Sequence, residues 1–94
     1  MKQPAVLPVL MRDAEVISLK EACFRTGRSE KTIRRWCRQD GIGRRAEASA
    51  PWEISAVALE AKRYGDDAAI EDLRRGEFTS PRVARYAEQL GILC

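Results

Sequence analysis

The sequence predicts a mainly α-helical fold that contains one small β-hairpin, and three observations support this fold class. A short apolar segment with a capping signal at Ser18 precedes a basic, strongly amphipathic segment that begins at Ser29. Residues 41–54 then contain two short segments typical of strands, separated by a small polar loop. Segments with helical spacing follow from Asp66 and from Ser80. This order predicts a winged helix-turn-helix followed by two C-terminal helices.

Residues 1–13 are predicted to form an extended N-terminal arm. Pro4 and Pro8 are incompatible with a regular helix and favour an extended course. The apolar side chains of the arm leave two alternatives, disorder or packing on another subunit, and an exposed apolar run of this size favours the second. Residues 15–18 are a candidate short strand that leads into the first helix.

The first helix is predicted to begin after Ser18, because Ser18 and Glu21 have the spacing of a capping box. It is predicted to end at Thr26-Gly27, so that a turn containing glycine separates it from the basic segment. Its apolar members are Leu19, Ala22, Cys23 and Phe24.

The basic segment, residues 29–40, is predicted to be a helix with two opposite faces. Ser29 is a good N-cap, and Gly41 can adopt the left-handed conformation that ends a helix. At about 100° per residue, the apolar and basic side chains separate around the helix axis. The apolar face holds Ile33, Trp36 and Cys37, and the basic face holds Lys31, Arg34, Arg35 and Arg38. Such a basic face is either solvated surface or a binding site for anions.

Positive charge is concentrated around this helix. Residues 25–45 contain eight basic side chains and two acidic ones, Glu30 and Asp40, whereas the whole chain has a formal charge of +3. The rest of the chain is therefore acidic on balance. This distribution favours a polyanionic partner, because a surface that serves only solubility would interleave both signs.

A β-hairpin is predicted directly after the basic helix, with Ser55 as the N-cap of the helix that follows it. The hairpin can close the core through its apolar residues, and it can also act as a wing. Arg44 and Arg45 lie on its first strand, from which they can reach phosphate or a minor groove. Its predicted parts are a strand at 41–45, a loop at 46–50 and a returning strand at 51–54.

Three helices are predicted after the hairpin. They lie at residues 56–64, ending at Gly65, at residues 68–75, capped by Asp66 or Asp67, and from Ser80-Pro81 to Gly91. The last helix carries an apolar stripe that consists of Val83, Tyr86, Ala87 and Leu90. The stripe is expected to pack in the core, and binding of a second subunit is the alternative.

The composition offers little for catalysis or metal binding. The chain has no histidine, and its three cysteines, Cys23, Cys37 and Cys94, lack the C-x-x-C spacing of metal sites. We therefore expect no enzymatic activity, no metal and no cofactor. Cysteines without a disulfide pattern favour a reducing compartment, and neither a convincing secretory signal nor a membrane-spanning run is present. The expected location is the cytoplasm.

Residues Ser18 to Leu59 resemble a known family. The run ISLKEACFRTGRSEKTIRRWCRQDGIG, the hairpin ending in PWEIS and the following AVALEA are similar to the MerR-type winged helix-turn-helix. In particular, they are similar to the small stand-alone version found in excisionases, which are the recombination directionality factors of phages and integrative elements. The resemblance implies that six residues face the major groove or its flanking phosphates, namely Ser29, Lys31, Thr32, Arg34, Arg35 and Arg38. It also implies that Arg44 and Arg45 belong to the wing.

The predicted organisation is an arm at 1–13, a DNA-binding domain at 14–65 and a helical extension at 66–94. The extension either packs on the DNA-binding domain or mediates self-association. We expect no effector domain of the regulator type and therefore no ligand sensing. The predicted DNA-binding residues are Arg28, Ser29, Lys31, Thr32, Arg34, Arg35, Arg38, Arg44 and Arg45.

These observations predict a sequence-specific binder of double-stranded DNA. Arg34 or Arg35 is expected to make a bidentate contact to guanine in the major groove, while the other cations hold phosphate. The resemblance implies an excision factor that binds DNA cooperatively, self-associates on it, bends it and directs an integrase. Two alternatives are a small transcriptional regulator that uses the same surface, and an adaptor whose basic helix binds an acidic protein.

Overall fold

The structure, a computed structural model, describes residues 6–92. It is mainly helical, with one small antiparallel sheet, which confirms the predicted fold class. A single 3-10 turn, Asp13–Glu15, precedes the first strand. The strands are β1 (Val16–Ile17), β2 (Gly43–Arg44) and β3 (Glu53–Ser55), and the helices are α1 (Leu19–Thr26), α2 (Glu30–Asp40), α3 (Ala56–Arg63), α4 (Asp67–Arg74) and α5 (Pro81–Gln89).

Each helix begins at a capping residue that the sequence predicted. In every case the cap side chain accepts a hydrogen bond from a backbone N–H in the first turn, which would otherwise have no partner. The caps are Ser18, Ser29, Ser55, Asp66 and Ser80. Of the two candidate caps for α4, Asp66 has this role, so α4 begins one residue earlier than predicted. Helix α4 also ends one residue earlier, at Arg74.

Only half of the predicted capping box at the start of α1 forms. Ser18 Oγ accepts from the N–H of Glu21, but the Glu21 carboxylate accepts from Arg25 at 2.9 Å, one turn further along the helix. Phe24 also departs from the apolar face of α1. It lies about 200° around the helix from the buried Ala22, and its side chain is 84 % exposed.

The sheet has three strands in the order β1-β3-β2, all antiparallel. The predicted hairpin supplies β2 and β3, and β1 adds a third strand that pairs Ile17 with Ile54. The strands are shorter than predicted. Gly41 has a φ of 71° and Pro51 has no N–H to donate, so neither residue continues a strand ladder.

The core is built around α3, whose residues Ala56 to Ala61 are all buried. Helices α4 and α5 pack against it, and their Leu73 and Tyr86 belong to the same core cluster as Ile33 of α2. Val83, Tyr86 and Ala87, three members of the predicted apolar stripe, are therefore covered by their own chain, and Leu90 is half-buried.

The N-terminal arm packs on its own chain, an alternative that the sequence did not offer. Val9 is 1 % exposed, Met11 is also buried, and both belong to the core cluster. The Val9 N–H donates to the Gly41 carbonyl at 2.8 Å, and the Leu10 N–H donates to the Leu73 carbonyl at 3.1 Å. The first five residues of the arm lie outside the described residues, as does Cys94. No helix within residues 6–92 has the length and apolar character that crossing a membrane requires.

Candidate nucleic-acid interface

Helix α2 has the two faces that its sequence predicts. Ile33 and Cys37 are buried in the core, and Trp36 is half-buried beside them. The opposite side carries a basic stripe, which we define as Lys31, Arg35 and Arg38. These residues stand at i, i+4 and i+7, within about 60° of one another around the helix.

All three side chains of the basic stripe are exposed, and none forms an ion pair with another described residue. Their charges are therefore offset only by water and counterions. Such an unpaired row of cations is able to bind a polyanion without first breaking an internal contact.

Arg34, the other residue predicted to read a base, is ion-paired within its own helix. Its Nη2 lies 2.6 Å from Glu30 Oε1, and its side chain is 43 % exposed. The pair has the i, i+4 spacing that favours a contact between helical neighbours. An exposed pair of this kind is weak, so Arg34 remains able to exchange its partner.

The turn before α2 occupies residues 27–29. Ser29 accepts from the Thr32 N–H and donates to Thr32 Oγ1, in both cases at 3.2 Å, so these two predicted site residues cap α2. Ser29 remains exposed and Thr32 is half-buried. Arg28 is exposed, with its guanidinium 5.9 Å from the centre of the Trp36 ring.

The two arginines of the hairpin have different surroundings. Arg44 Nε lies 3.0 Å from Glu53 Oε1, on the residue that pairs with Arg44 in the sheet. Arg45 stacks over the Trp52 ring at 4.4 Å from its centre and donates to the Ala48 carbonyl at 2.8 Å. The stack and the hydrogen bond restrain Arg45 while leaving it exposed.

Gly43 lets the hairpin approach α2 closely. A Cβ at this position would lie 2.7 Å from Cys37 Sγ and 3.0 Å from Ile54 Cγ1, so any larger residue would force these side chains or the hairpin to shift. Because of this contact, Arg38 of α2 lines one surface groove together with Arg44 and Arg45. The structure thus brings the predicted residues of the helix end and the hairpin together.

The Cys37 thiol beneath this groove is not a nucleophile at neutral pH. Burial raises its pKa to about 12, against smaller opposing effects of Arg38 and Arg45. The thiol therefore stays protonated and packs as a small apolar group. Within residues 6–92, no group of three or more histidine, cysteine or acidic side chains is placed to hold a metal ion.

Two cations that the sequence analysis did not single out hold the C-terminal end of α2. Lys62 Nζ lies 3.1 Å from Asp40 Oδ2, and the Arg74 guanidinium donates to the Asp40 carbonyl. Arg74 is 34 residues away from Asp40 in the chain. No local sequence signal connects them.

Comparison of the chain with protein-family models, with curated proteins and with solved structures finds no significant match.

Proposed function

We propose that this protein binds double-stranded DNA and acts as an excision factor that directs an integrase. The observation that supports the proposal is the unpaired basic stripe on α2, placed opposite the buried face and beside a hairpin that carries Arg45. In this proposal α2 enters the major groove and the hairpin is the wing.

The dimensions of the basic stripe suit a major groove. Lys31 and Arg38 are separated by about 10 Å along the helix axis, at about 1.5 Å per residue, and the major groove is about 12 Å wide. Arg35 lies between them, which favours it for the bidentate contact to guanine, while Lys31 and Arg38 reach the flanking phosphates. Arg34 takes part after exchanging Glu30 for DNA.

The wing contributes mainly through Arg45. Its stack on Trp52 and its hydrogen bond to Ala48 restrict the guanidinium before DNA arrives, so less conformational freedom is lost on binding. Arg45 then contacts phosphate or the minor groove. Arg44 contributes less, because it first has to leave Glu53.

The decisive experiment measures the affinity for duplex DNA that contains the attachment region used by the integrase which this protein is proposed to direct. Arg35→Ala should weaken binding by about 1–3 kcal/mol and relax specificity at one base pair. Arg38→Ala should weaken all sequences similarly and lower the salt slope by about 1. Arg75→Ala is the matched control, since it removes the same charge from an exposed side chain paired with Asp72 and Glu77.

Three outcomes would contradict the proposal. Arg35→Ala and Arg38→Ala binding as tightly as the parent would show that the site is misplaced. If Arg75→Ala lost as much affinity for DNA as Arg35→Ala and Arg38→Ala, net charge alone would govern binding. A parent that is retained on heparin but does not shift duplex DNA would favour the adaptor that binds an acidic protein.

Footprinting tests the excision-factor role specifically. Tandem protected sites beside the attachment sequence, together with DNA bending, are the expected result. A single paired site over a promoter would instead identify a transcriptional regulator. An excision assay with the integrase, with and without this protein, completes the test.

A further inference from the structure

Three segments that are distant in sequence meet at one junction, namely the C-terminal end of α2, the arm and the end of α4. The arm contacts Gly41, the residue that ends α2, through the hydrogen bond from the Val9 N–H. The next arm residue, Leu10, donates to the Leu73 carbonyl of α4. The arm therefore runs between the end of α2 and the end of α4 and is hydrogen-bonded to both.

Arg74 of α4 bridges all three segments. Its Nε donates to the Leu7 carbonyl of the arm at 2.7 Å, its Nη2 donates to the Asp40 carbonyl, and its Nη1 pairs with Glu71. The side chain is 15 % exposed. Asp40 is the last residue of α2, so its carbonyl has no partner within the helix and lies at the negative end of the helix dipole.

A planar guanidinium suits this position better than any other side chain. It presents several donors in a fixed fork, so one group can bond two carbonyls and a carboxylate simultaneously. With those donors engaged and little of the side chain exposed, Arg74 is not itself placed to contact DNA.

We propose that Arg74 is a positioning residue for the DNA-binding surface, an inference that rests on the proposed function. By holding the last turn of α2 against the arm, Arg74 sets the position of Arg38 and of strand β2, which begins two residues after Gly41. The C-terminal extension thereby controls DNA affinity without touching the DNA.

Arg74→Ala, Arg74→Lys and the control Arg75→Ala test this role at a temperature where circular dichroism shows each variant fully folded. Hydrogen exchange of two amides reports on the junction. The Val9 N–H donates to the Gly41 carbonyl and reports on the contact with the arm, and the Gly41 N–H donates to the Cys37 carbonyl and reports on the last turn of α2. Arg74→Ala should lose protection at both amides and bind duplex DNA about three- to thirty-fold more weakly. In a protein in which Arg38 is already alanine, Arg74→Ala should leave the salt slope unchanged, because Arg74 itself contacts no phosphate.

Arg74→Lys and Arg75→Ala separate the geometry of the Arg74 guanidinium from its charge. Arg74→Lys should fall between parent and Arg74→Ala, because an ammonium group lacks the fork that spans both carbonyls. It also keeps the test decisive if Arg74→Ala does not fold. Arg75→Ala should leave exchange and affinity unchanged, which separates the position of the guanidinium from its charge.

Two results would overturn the inference. Loss of protection with unchanged DNA affinity would make Arg74 a purely structural residue. A salt slope lowered by about 1 when Arg74→Ala is added to Arg38→Ala would make it a direct phosphate contact. Failure of the proposed function is distinguishable from both. In that case the parent itself does not bind duplex DNA, and Arg74 has no role in DNA binding. The exchange data still show whether Arg74 orders the junction.

Discussion

Replacing Gly41 by alanine should destabilise the fold more than the same change at Gly27. Both glycines end a helix in the left-handed region, with φ of 71° and 69°. A Cβ on Gly41 would lie 2.5 Å from the Leu7 carbonyl oxygen and 3.1 Å from Arg74 Nη2, whereas a Cβ on Gly27 would meet nothing within 4 Å. The two substitutions therefore share the conformational penalty and differ in the steric one.

The expected difference follows from the contacts that the arm would lose. Left-handed backbone costs an L-residue about 1–2 kcal/mol, and this is the whole expected loss for Gly27→Ala. In Gly41→Ala the arm must also move, which removes the hydrogen bond from Val9, worth about 1 kcal/mol. Val9 is 1 % exposed, and partial loss of its burial adds about 1–2 kcal/mol. Gly41→Ala should thus be less stable than Gly27→Ala by about 2–3 kcal/mol.

Urea unfolding followed by circular dichroism measures this difference, with both variants compared in one buffer. In a thermal scan each kcal/mol corresponds to a lowering of Tm by about 4–8 °C for a domain of this size. Equal losses for the two variants would refute the reasoning, because they would show that the arm does not press on Gly41 in solution.

Two further predictions concern hydrogen bonds that carboxylates accept from hydroxyl groups. Ser29→Ala removes only an exposed cap and should lower the free energy of unfolding by about 1 kcal/mol. Ser55→Ala should lower it by roughly a further 1.5–3 kcal/mol, because Ser55 Oγ also donates to the buried Glu15 carboxylate at 2.6 Å. Equal urea midpoints for the two variants would contradict this prediction. Desolvation alone would raise the pKa of Asp66, but hydrogen bonds from Tyr86 and a backbone amide hold it below the usual 3.8. A lowered pKa in the folded state contributes stability above pH 3.8 that is lost as the pH falls through the folded value. Tyr86→Phe should therefore cost about 1.5 kcal/mol at pH 7 and less at pH 2, and an equal loss at both pH values would argue against the Tyr86 hydrogen bond.

The helix starts were predictable because capping is a local interaction. The cap is a serine or aspartate, and it accepts a hydrogen bond from an amide only three residues further along the chain, so both groups lie in one short stretch of sequence. Each of the five helices within the described residues begins at such a cap. The buried and exposed faces of α2 were predictable for a related reason, since the helical period alone separates Ile33 and Cys37 from the basic stripe.

Contacts between distant segments were not predictable in the same way. Strand β1 has only two residues, and its partner β3 is chosen by the packing of the whole domain. The position of the arm depends on the space between Gly41 and α4, which is set by how the C-terminal helices pack on α3. Arg74 is part of the same arrangement, so its contact with Asp40 has no signature in the chain.

The basic residues differ in whether they must break an ion pair before they can bind DNA. Arg34 and Arg44 must do so. Arg35 exchanges only water and counterions for a base or phosphate. Arg34 and Arg44 must first leave Glu30 and Glu53, and each exposed pair contributes about 0–1 kcal/mol. That cost is too small to keep either arginine out of an interface. It is large enough to favour an unpaired neighbour when two adjacent residues compete for one guanine, which is why the base contact is proposed for Arg35, a choice that helical periodicity left open.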